Sequence, residues 1–206
     1  ATPPISYFEQ VQSKTGGNSR LARVLTIPDN VTVFPQKVNT PPGVTTPYRI
    51  EASYAGYSEI ILDVTQLATL TGGDARIASV GNGLIRMRSE AFDDTTVKVT
   101  YQGKSVSLTL DNRPTELECN KSLLKLDAGE DTQINVYANY PGGVKVDVTS
   151  QAQWTVGNTS IARVDAGKVT ATYNKQGLVG KTSVKAYYGG KCADIGVQVA
   201  PRVSPK

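Results

Sequence analysis

The chain has no histidine, so the side chain that most often acts as a general base or metal ligand near neutral pH is missing. The residues that remain for chemistry are few. Cys119 and Cys192 are the only thiols, and two distant cysteines do not make a structural zinc site. Glu90, Asp93 and Asp94 form a small acidic loop. Its spacing is not that of a calcium loop, which needs several convergent oxygens. Glu51 and Glu59 are placed to approach each other across a hairpin. Glycoside chemistry needs such a carboxylate pair inside a cleft, which a small module rarely builds. Serines and threonines are plentiful, but without histidine or a serine-lysine motif none is an activated nucleophile. Gly81-Asn82-Gly83 precedes a strand pattern, whereas a phosphate loop precedes a helix. These patterns predict a protein that is not an enzyme and uses no metal or cofactor.

Binding residues are the next candidates. Arg86 and Arg88 share one strand face, and with Arg20 and Arg23 they come nearest to a basic cluster. The 22 basic and 18 acidic residues leave a net charge of +4. That charge is scattered, whereas a nucleic-acid footprint concentrates it on one face. No nucleic-acid partner is expected, and a weak attraction to anionic polymers or cell surfaces remains. Of the ten tyrosines, Tyr187 and Tyr188 are adjacent, so a regular strand turns one of them outward. An outward ring can stack on a sugar or fill a partner's groove. Arg86, Arg88, Tyr187 and Tyr188 are therefore the candidate partner contacts.

The elements that must carry these residues are strands. Val97 and Val99 alternate with Lys98, Val144, Val146 and Val148 with Lys145 and Asp147, and Val197 and Val199 with Gln198. Period-2 runs of this kind indicate strands with one wet face. Gly72-Gly73, Gly81-Asn82-Gly83 and Pro141-Gly142-Gly143 punctuate them. Tyr101-Gln-Gly-Lys104 and Tyr188-Gly-Gly-Lys191 read as hairpins. No stretch keeps a helical apolar period, and short strands with frequent turns predict β-sandwiches. No continuous apolar run of about 18 residues exists, so no helix is expected to insert in a membrane. The prolines at 28, 35, 41, 42 and 47 predict a rim loop or an edge strand over 28–48. Ala1-Thr2-Pro3, without methionine, fits a processed start.

The strand pattern occurs twice. Residues 63–80, DVTQLATLTGGDARIASV, align without a gap to 147–164, DVTSQAQWTVGNTSIARV, with nine of eighteen positions identical. Composition alone would give about one. The offset of 84 becomes 87 at Tyr101 and Tyr188, and it is 86 upstream at Ile50 and Val136. Such drift is what loop insertions produce. The expectation is all-β, two tandem immunoglobulin-like β-sandwiches. Residues 24–112 form the first domain and 113–200 the second, with an N-terminal tail or remnant strand at 1–23, a C-terminal tail at 201–206 and a semi-rigid hinge at Asp111-Asn112-Arg113-Pro114. Trp154 falls opposite Leu70 and reads as a core aromatic. Cys119 and Cys192 lie in the first and last strands of the second domain, which run close together in an immunoglobulin-like sandwich. A disulfide there is favoured over two free thiols and would indicate an oxidising compartment. Ser105 replaces Cys192 in the first copy, so the bond would reinforce the fold without being required for it.

Trp154-Thr-Val-Gly-Asn-Thr-Ser-Ile-Ala-Arg-Val-Asp165, Gly167-Lys-Val-Thr-Ala171 and Lys181-Thr-Ser-Val-Lys-Ala-Tyr-Tyr-Gly-Gly-Lys191 together resemble the bacterial Ig-like group 2 module. The first copy is weaker, with Leu70 for the tryptophan, Gly81 for the aspartate and Met87 for the alanine. The resemblance covers about residues 25–200. It implies a non-catalytic structural or adhesive module of a bacterial cell-surface or secreted protein, as in intimin- and invasin-type adhesins and surface-layer proteins. Such a module acts as a semi-rigid spacer or an assembly subunit. The implied partners are a protein or polysaccharide of a cell surface, or another copy of the chain. Two other readings stay open: a carbohydrate- or receptor-binding module using exposed tyrosines, and a phage virion decoration or tail domain.

Overall fold

The computed structural model describes residues 27–54, 57–173 and 178–201, with backbone alone at 57–59. The 1–23 segment with Arg20 and Arg23, the Asn174-Lys175-Gln176 loop and the side chains of Tyr57 and Glu59 lie outside the described residues. The chain separates into two compact units between Asn112 and Arg113.

Unit one contains β1 (Asn30–Phe34), β2 (Lys37–Asn39), β3 (Thr45–Pro47), β4 (Arg49–Tyr54), β5 (Tyr57–Asp63), β6 (Thr69–Gly72), β7 (Ala78–Gly81), β8 (Leu84–Met87), β9 (Asp94–Tyr101) and β10 (Lys104–Asp111). Unit two contains β11 (Glu116–Cys119), β12 (Leu123–Leu126), β13 (Asp131–Gln133), β14 (Val136–Tyr140), β15 (Val144–Asp147), β16 (Gln153–Val156), β17 (Ala162–Asp165), β18 (Lys168–Ala171), β19 (Gly180–Tyr188) and β20 (Lys191–Val199). Each unit has the same three sheets. In unit one they run β1-β4-β5, β2-β10-β9-β6 and β3-β8-β7; in unit two, β11-β14-β15, β12-β20-β19-β16 and β13-β18-β17. The β2–β10 and β12–β20 pairings are parallel, and the other described pairings are antiparallel. Pro47 sits in β3, at a sheet edge, where a missing N–H costs no ladder bond.

The small sheets are arranged as immunoglobulin-like β-sandwich units. In unit one, β3 and β4 are halves of one bent stretch with only Tyr48 between them. One half pairs with β8 and the other with β1 and β5. The two three-stranded sheets thus form one layer, joined at a bend where Tyr48 N–H donates to Gly83 O at 2.9 Å. Ile134 N–H makes the matching bond to Gly167 O at 2.9 Å in unit two. The core fills the space to the four-stranded layer. Ile50, Ala52, Ile85 and Met87 meet Val97, Val99, Leu108 and Leu110 there. Period-2 alternation positions them: along β4, Ile50, Ala52 and Tyr54 are buried between Arg49, Glu51 and Ser53.

Both expected hairpins are present. Gln102-Gly103 and Gly189-Gly190 each place two consecutive residues at positive φ, the geometry of a tight two-residue loop. One alternation is weaker than its pattern. Of Val144, Val146 and Val148, only Val148 is fully buried, and Val144 is exposed. The cause is that β15 is an edge strand paired with β14 alone and ends at Asp147.

The repeated sequence block maps onto repeated hydrogen bonding. Asp63 Oδ1 accepts from Thr65 N–H at 3.0 Å and from its hydroxyl at 2.6 Å. Thr65 Oγ1 in turn accepts from Ile50 N–H at 2.9 Å. In unit two, Asp147 Oδ1 accepts from Thr149 N–H at 2.9 Å and its hydroxyl at 2.6 Å, and Thr149 Oγ1 accepts from Val136 N–H at 3.0 Å. The intervening Val64 and Val148 are buried, and their N–H groups donate to Ile50 O and Val136 O. Asp-Val-Thr is therefore a clamp that satisfies the backbone where the bent strand leaves its ladder. A second pair follows. Asp74 Oδ1 takes Arg76 N–H and Asn158 Oδ1 takes Ser160 N–H, both at 2.9 Å. Each turn is anchored by a distant hydroxyl, Thr95 to Asp74 N–H and Thr182 to Asn158 N–H.

Trp154 diverges without breaking the fold. It pairs across the sheet with Ala186, where unit one pairs Leu70 with Val99. A larger ring faces a smaller partner, which conserves the summed volume. Trp154 is half-buried, touches both core clusters of unit two and donates its indole N–H to Thr149 O at 3.0 Å.

Candidate functional site

Among the described residues, the carboxylates do not assemble an acid-base pair. Asp63, not Glu59, lies across from Glu51 in the β4–β5 register, and Glu51 is ion-paired to Arg49 at 2.6 Å. The Thr65 hydroxyl and then its N–H hold the Asp63 carboxyl below the usual range. A general acid requires the opposite shift. Glu90 pairs with Arg88 at 3.3 Å. Among the described residues, no group of three or more His, Cys, Asp or Glu side chains is placed to hold a metal ion. No helix among them is long and apolar enough to cross a membrane.

Both cysteines are thiols in this structure. Cys119 ends β11 and packs against both core clusters of unit two. Cys192 lies exposed on β20, in register with Tyr187. Burial raises the Cys119 pKa, with the Cys192 thiol and the Glu118 carboxylate pushing the same way. One side chain faces the core and the other solvent, so the expected disulfide is not formed.

Tyr187 points outward, and among the described tyrosine side chains it alone is exposed. Tyr188 turns toward the core, and burial raises its pKa against a hydrogen bond with Tyr140. Tyr48, Tyr54, Tyr101 and Tyr140 are buried core residues. Tyr137 lies under the Lys145 ammonium, 4.7 Å from ring centre to nitrogen, and Lys145 also pairs with Glu118 at 2.8 Å. No paired aromatic platform forms among these side chains.

The structure does bring Arg86 and Arg88 together. Ile85 and Met87 are buried, so Arg86 projects outward and Arg88, just past the strand end, follows the same side. Arg86 lies between Thr45 on β3 and Ser79 on β7. With Gly43, Ser89 and Glu90 the two arginines line an open groove of about 310 Å³. Arg86 has no ion-pair or hydrogen-bond partner among the described residues. The loop after β8 is held rigidly. Arg88 N–H donates to Ile77 O at 2.8 Å. The fully buried Asn112 amide donates to Arg88 O at 2.8 Å and Ala91 O at 2.6 Å, and its oxygen accepts from Asp93 N–H at 3.1 Å. Asn112 reads from sequence as hinge, but it is a loop clamp of unit one. Its partners lie 19 to 24 residues away, so local sequence carries no signal of them. A larger groove of about 450 Å³ lies beside Tyr48, Arg49 and Leu67, and Asp63 and Thr65 of the clamp form part of its wall.

No protein-family model matches the sequence, and no curated protein matches it. Among solved structures, domains 5–6 of the S-layer protein SbsC share 17% identity, covering 86% of this chain and 99% of that one at a TM-score of 0.36. Titin domains Z1Z2, in a complex with telethonin, share 9% over 84% of this chain and 98% of that one, TM-score 0.31. Human protocadherin-24 EC1-2 shares 12% over 87% of this chain and 100% of that one, TM-score 0.30. These likenesses are too loose to assign a function.

Proposed function

We propose that the chain is a tandem of two immunoglobulin-like sandwiches, 24–112 and 113–200, of the bacterial group 2 type that the Trp154 stretch resembles. It serves as a non-catalytic structural and adhesive module of a bacterial cell-surface or secreted protein. The observation that carries this is the recurrence of the same ten strands, pairings and side-chain clamps in both units. The residues that repeat are those that hold the fold, so what was duplicated is a scaffold rather than a reaction site.

The topology also fits a load-bearing role. In each unit the second strand pairs in parallel with the last, β2 with β10 and β12 with β20, while the first strands, β1 and β11, pair antiparallel with β4 and β14. Tension applied to the ends pulls such strands lengthwise, so their hydrogen bonds resist together in shear instead of opening one by one. The register spans Lys37–Asn39 in unit one and Leu123–Leu126 in unit two. Stretching single molecules by force microscopy should give two unfolding events, each releasing about 300 Å of chain for about 90 residues. Unit two, with the longer parallel register, should yield at the higher force. A single merged event, or unfolding without measurable resistance, would overturn the load-bearing reading.

A further inference from the structure

We propose that the Arg86–Arg88 groove of unit one binds the carboxylate groups of an acidic polysaccharide. This deepens the adhesive part of the reading above and rests on it.

The duplication supplies an internal control. A residue the fold needs should have a counterpart that does the same job in the other unit, and the clamps satisfy that test. The arginines do not. By strand register, Thr170 occupies the place of Arg86, flanked by Asp131 and Arg163 where unit one has Thr45 and Ser79. Asp131 is ion-paired to Lys168 at 2.7 Å, so unit two places an acid and its own cation beside this position, with Arg163 as the remaining charge. Thr172 occupies the place of Arg88 and spends its hydroxyl on Thr159 O at 3.1 Å. The fold therefore stands without either arginine, and unit one exposes Arg86 on β8 and Arg88 on the loop fixed by a buried asparagine. Rigid support of this kind lowers the ordering cost of binding.

The groove chemistry selects the ligand. A guanidinium without a protein partner matches a carboxylate in charge and in its paired donors. Arg88 is held by Glu90 only through one nitrogen at 3.3 Å, leaving further donors toward the groove. Ser89 adds a hydroxyl in the groove, and Thr45 and Ser79 add two more on the strands beside Arg86, none engaged by a described residue. Hydroxyls beside guanidinium groups suit a sugar acid, which presents both partners. A protein partner would need an apolar interface centre. Of the exposed apolar residues of unit one, Val44 follows Gly43 and Leu84 shares the Arg86 face of β8, but neither lines the groove, and Ile27, Phe34, Ile61 and Leu67 lie on other segments, so no apolar centre forms in it. A second copy of this chain is disfavoured by its own net charge of +4.

Affinity electrophoresis of the whole chain through polygalacturonate, dextran sulfate and neutral dextran tests this. Polygalacturonate should retard the protein and dextran should not. The double variant Arg86→Gln/Arg88→Gln should weaken retardation about tenfold or more, the scale of losing charge-assisted hydrogen bonds. Thr45→Asp, which copies the acid tolerated in unit two, should weaken it comparably, whereas Arg163→Gln should not. Retardation by dextran sulfate alone, retention of full binding by the double variant, or no retardation by polygalacturonate would each overturn the proposal. None of these outcomes alters the two-event unfolding expected of the scaffold, so the two readings fail separately.

Discussion

Thr149→Val replaces one hydroxyl with a methyl group of nearly the same shape at a site that is 8% exposed. The backbone N–H of Val136, a residue with no exposed surface, loses its acceptor at 3.0 Å. A buried donor left unsatisfied costs about 1–3 kcal/mol. The bond to Asp147 Oδ1 at 2.6 Å is also lost. That carboxylate is exposed, so its share is small, about 0.5 kcal/mol after solvent screening. The sum is about 1.5–3.5 kcal/mol. With a urea dependence of about 1–1.5 kcal/mol per molar for a domain of this size, the unfolding midpoint should fall by about 2 M. The single tryptophan, Trp154, lies in unit two, so its fluorescence reports the affected unit. Thr149→Ser keeps the hydroxyl and should recover most of the loss. A Thr149→Val midpoint within about 0.5 kcal/mol of the parent, or a serine variant equally unstable, would refute the clamp.

Trp154→Leu should destabilise unit two by about 2–3 kcal/mol through the cavity it leaves, and adding Ala186→Val should restore about 1 kcal/mol by recreating the Leu70–Val99 pairing of unit one. Thermal denaturation followed by circular dichroism reads both, and an additive double variant would contradict the compensation. Asp63 and Asp147 have carboxyl pKa values lowered first by the threonine hydroxyls and then by the threonine N–H groups. Their contribution is therefore complete above the ordinary aspartate value near 3.8 and disappears as pH falls below it through the folded-state value. Urea midpoints should drop between about pH 5 and pH 2, and Asp63→Asn/Asp147→Asn should flatten that slope. Because Cys119 faces the core and Cys192 faces solvent, both should be recovered as thiols in a non-reducing peptide map after mild oxidation, and a linked Cys119–Cys192 peptide would overturn that placement.

The fold was legible because its signals are local. Period-2 alternation along β4, β9 and β20 follows from the pleat, which sends successive side chains to opposite faces. The Gln102-Gly103 and Gly189-Gly190 hairpins follow from the positive φ that their loop geometry demands. The duplication was visible as well, although the reason for its densest block was not. Asp63-Val-Thr65 reads as one more fragment of identity until Ile50 N–H is seen bonded to the threonine oxygen.

The candidate site divides in the same way. Alternation alone places Arg86 and Arg88 on one side of β8, and adjacency alone turns Tyr187 or Tyr188 outward. Choosing Tyr187 required knowing that Tyr188 meets Tyr140 from another sheet. Asn112 gave no warning, since its partners in the loop after β8 are close only after β10 has paired with β9.

The sequence by itself determined the strands, the turns, the repeat and the absence of histidine chemistry, because each depends on residue type and spacing along the chain. The tertiary structure decided which residues clamp, which carboxylates are neutralised and which cations stay unpaired. Those properties depend on groups brought together from distant strands, and a polar atom's role is fixed by the partner it finds once water is excluded.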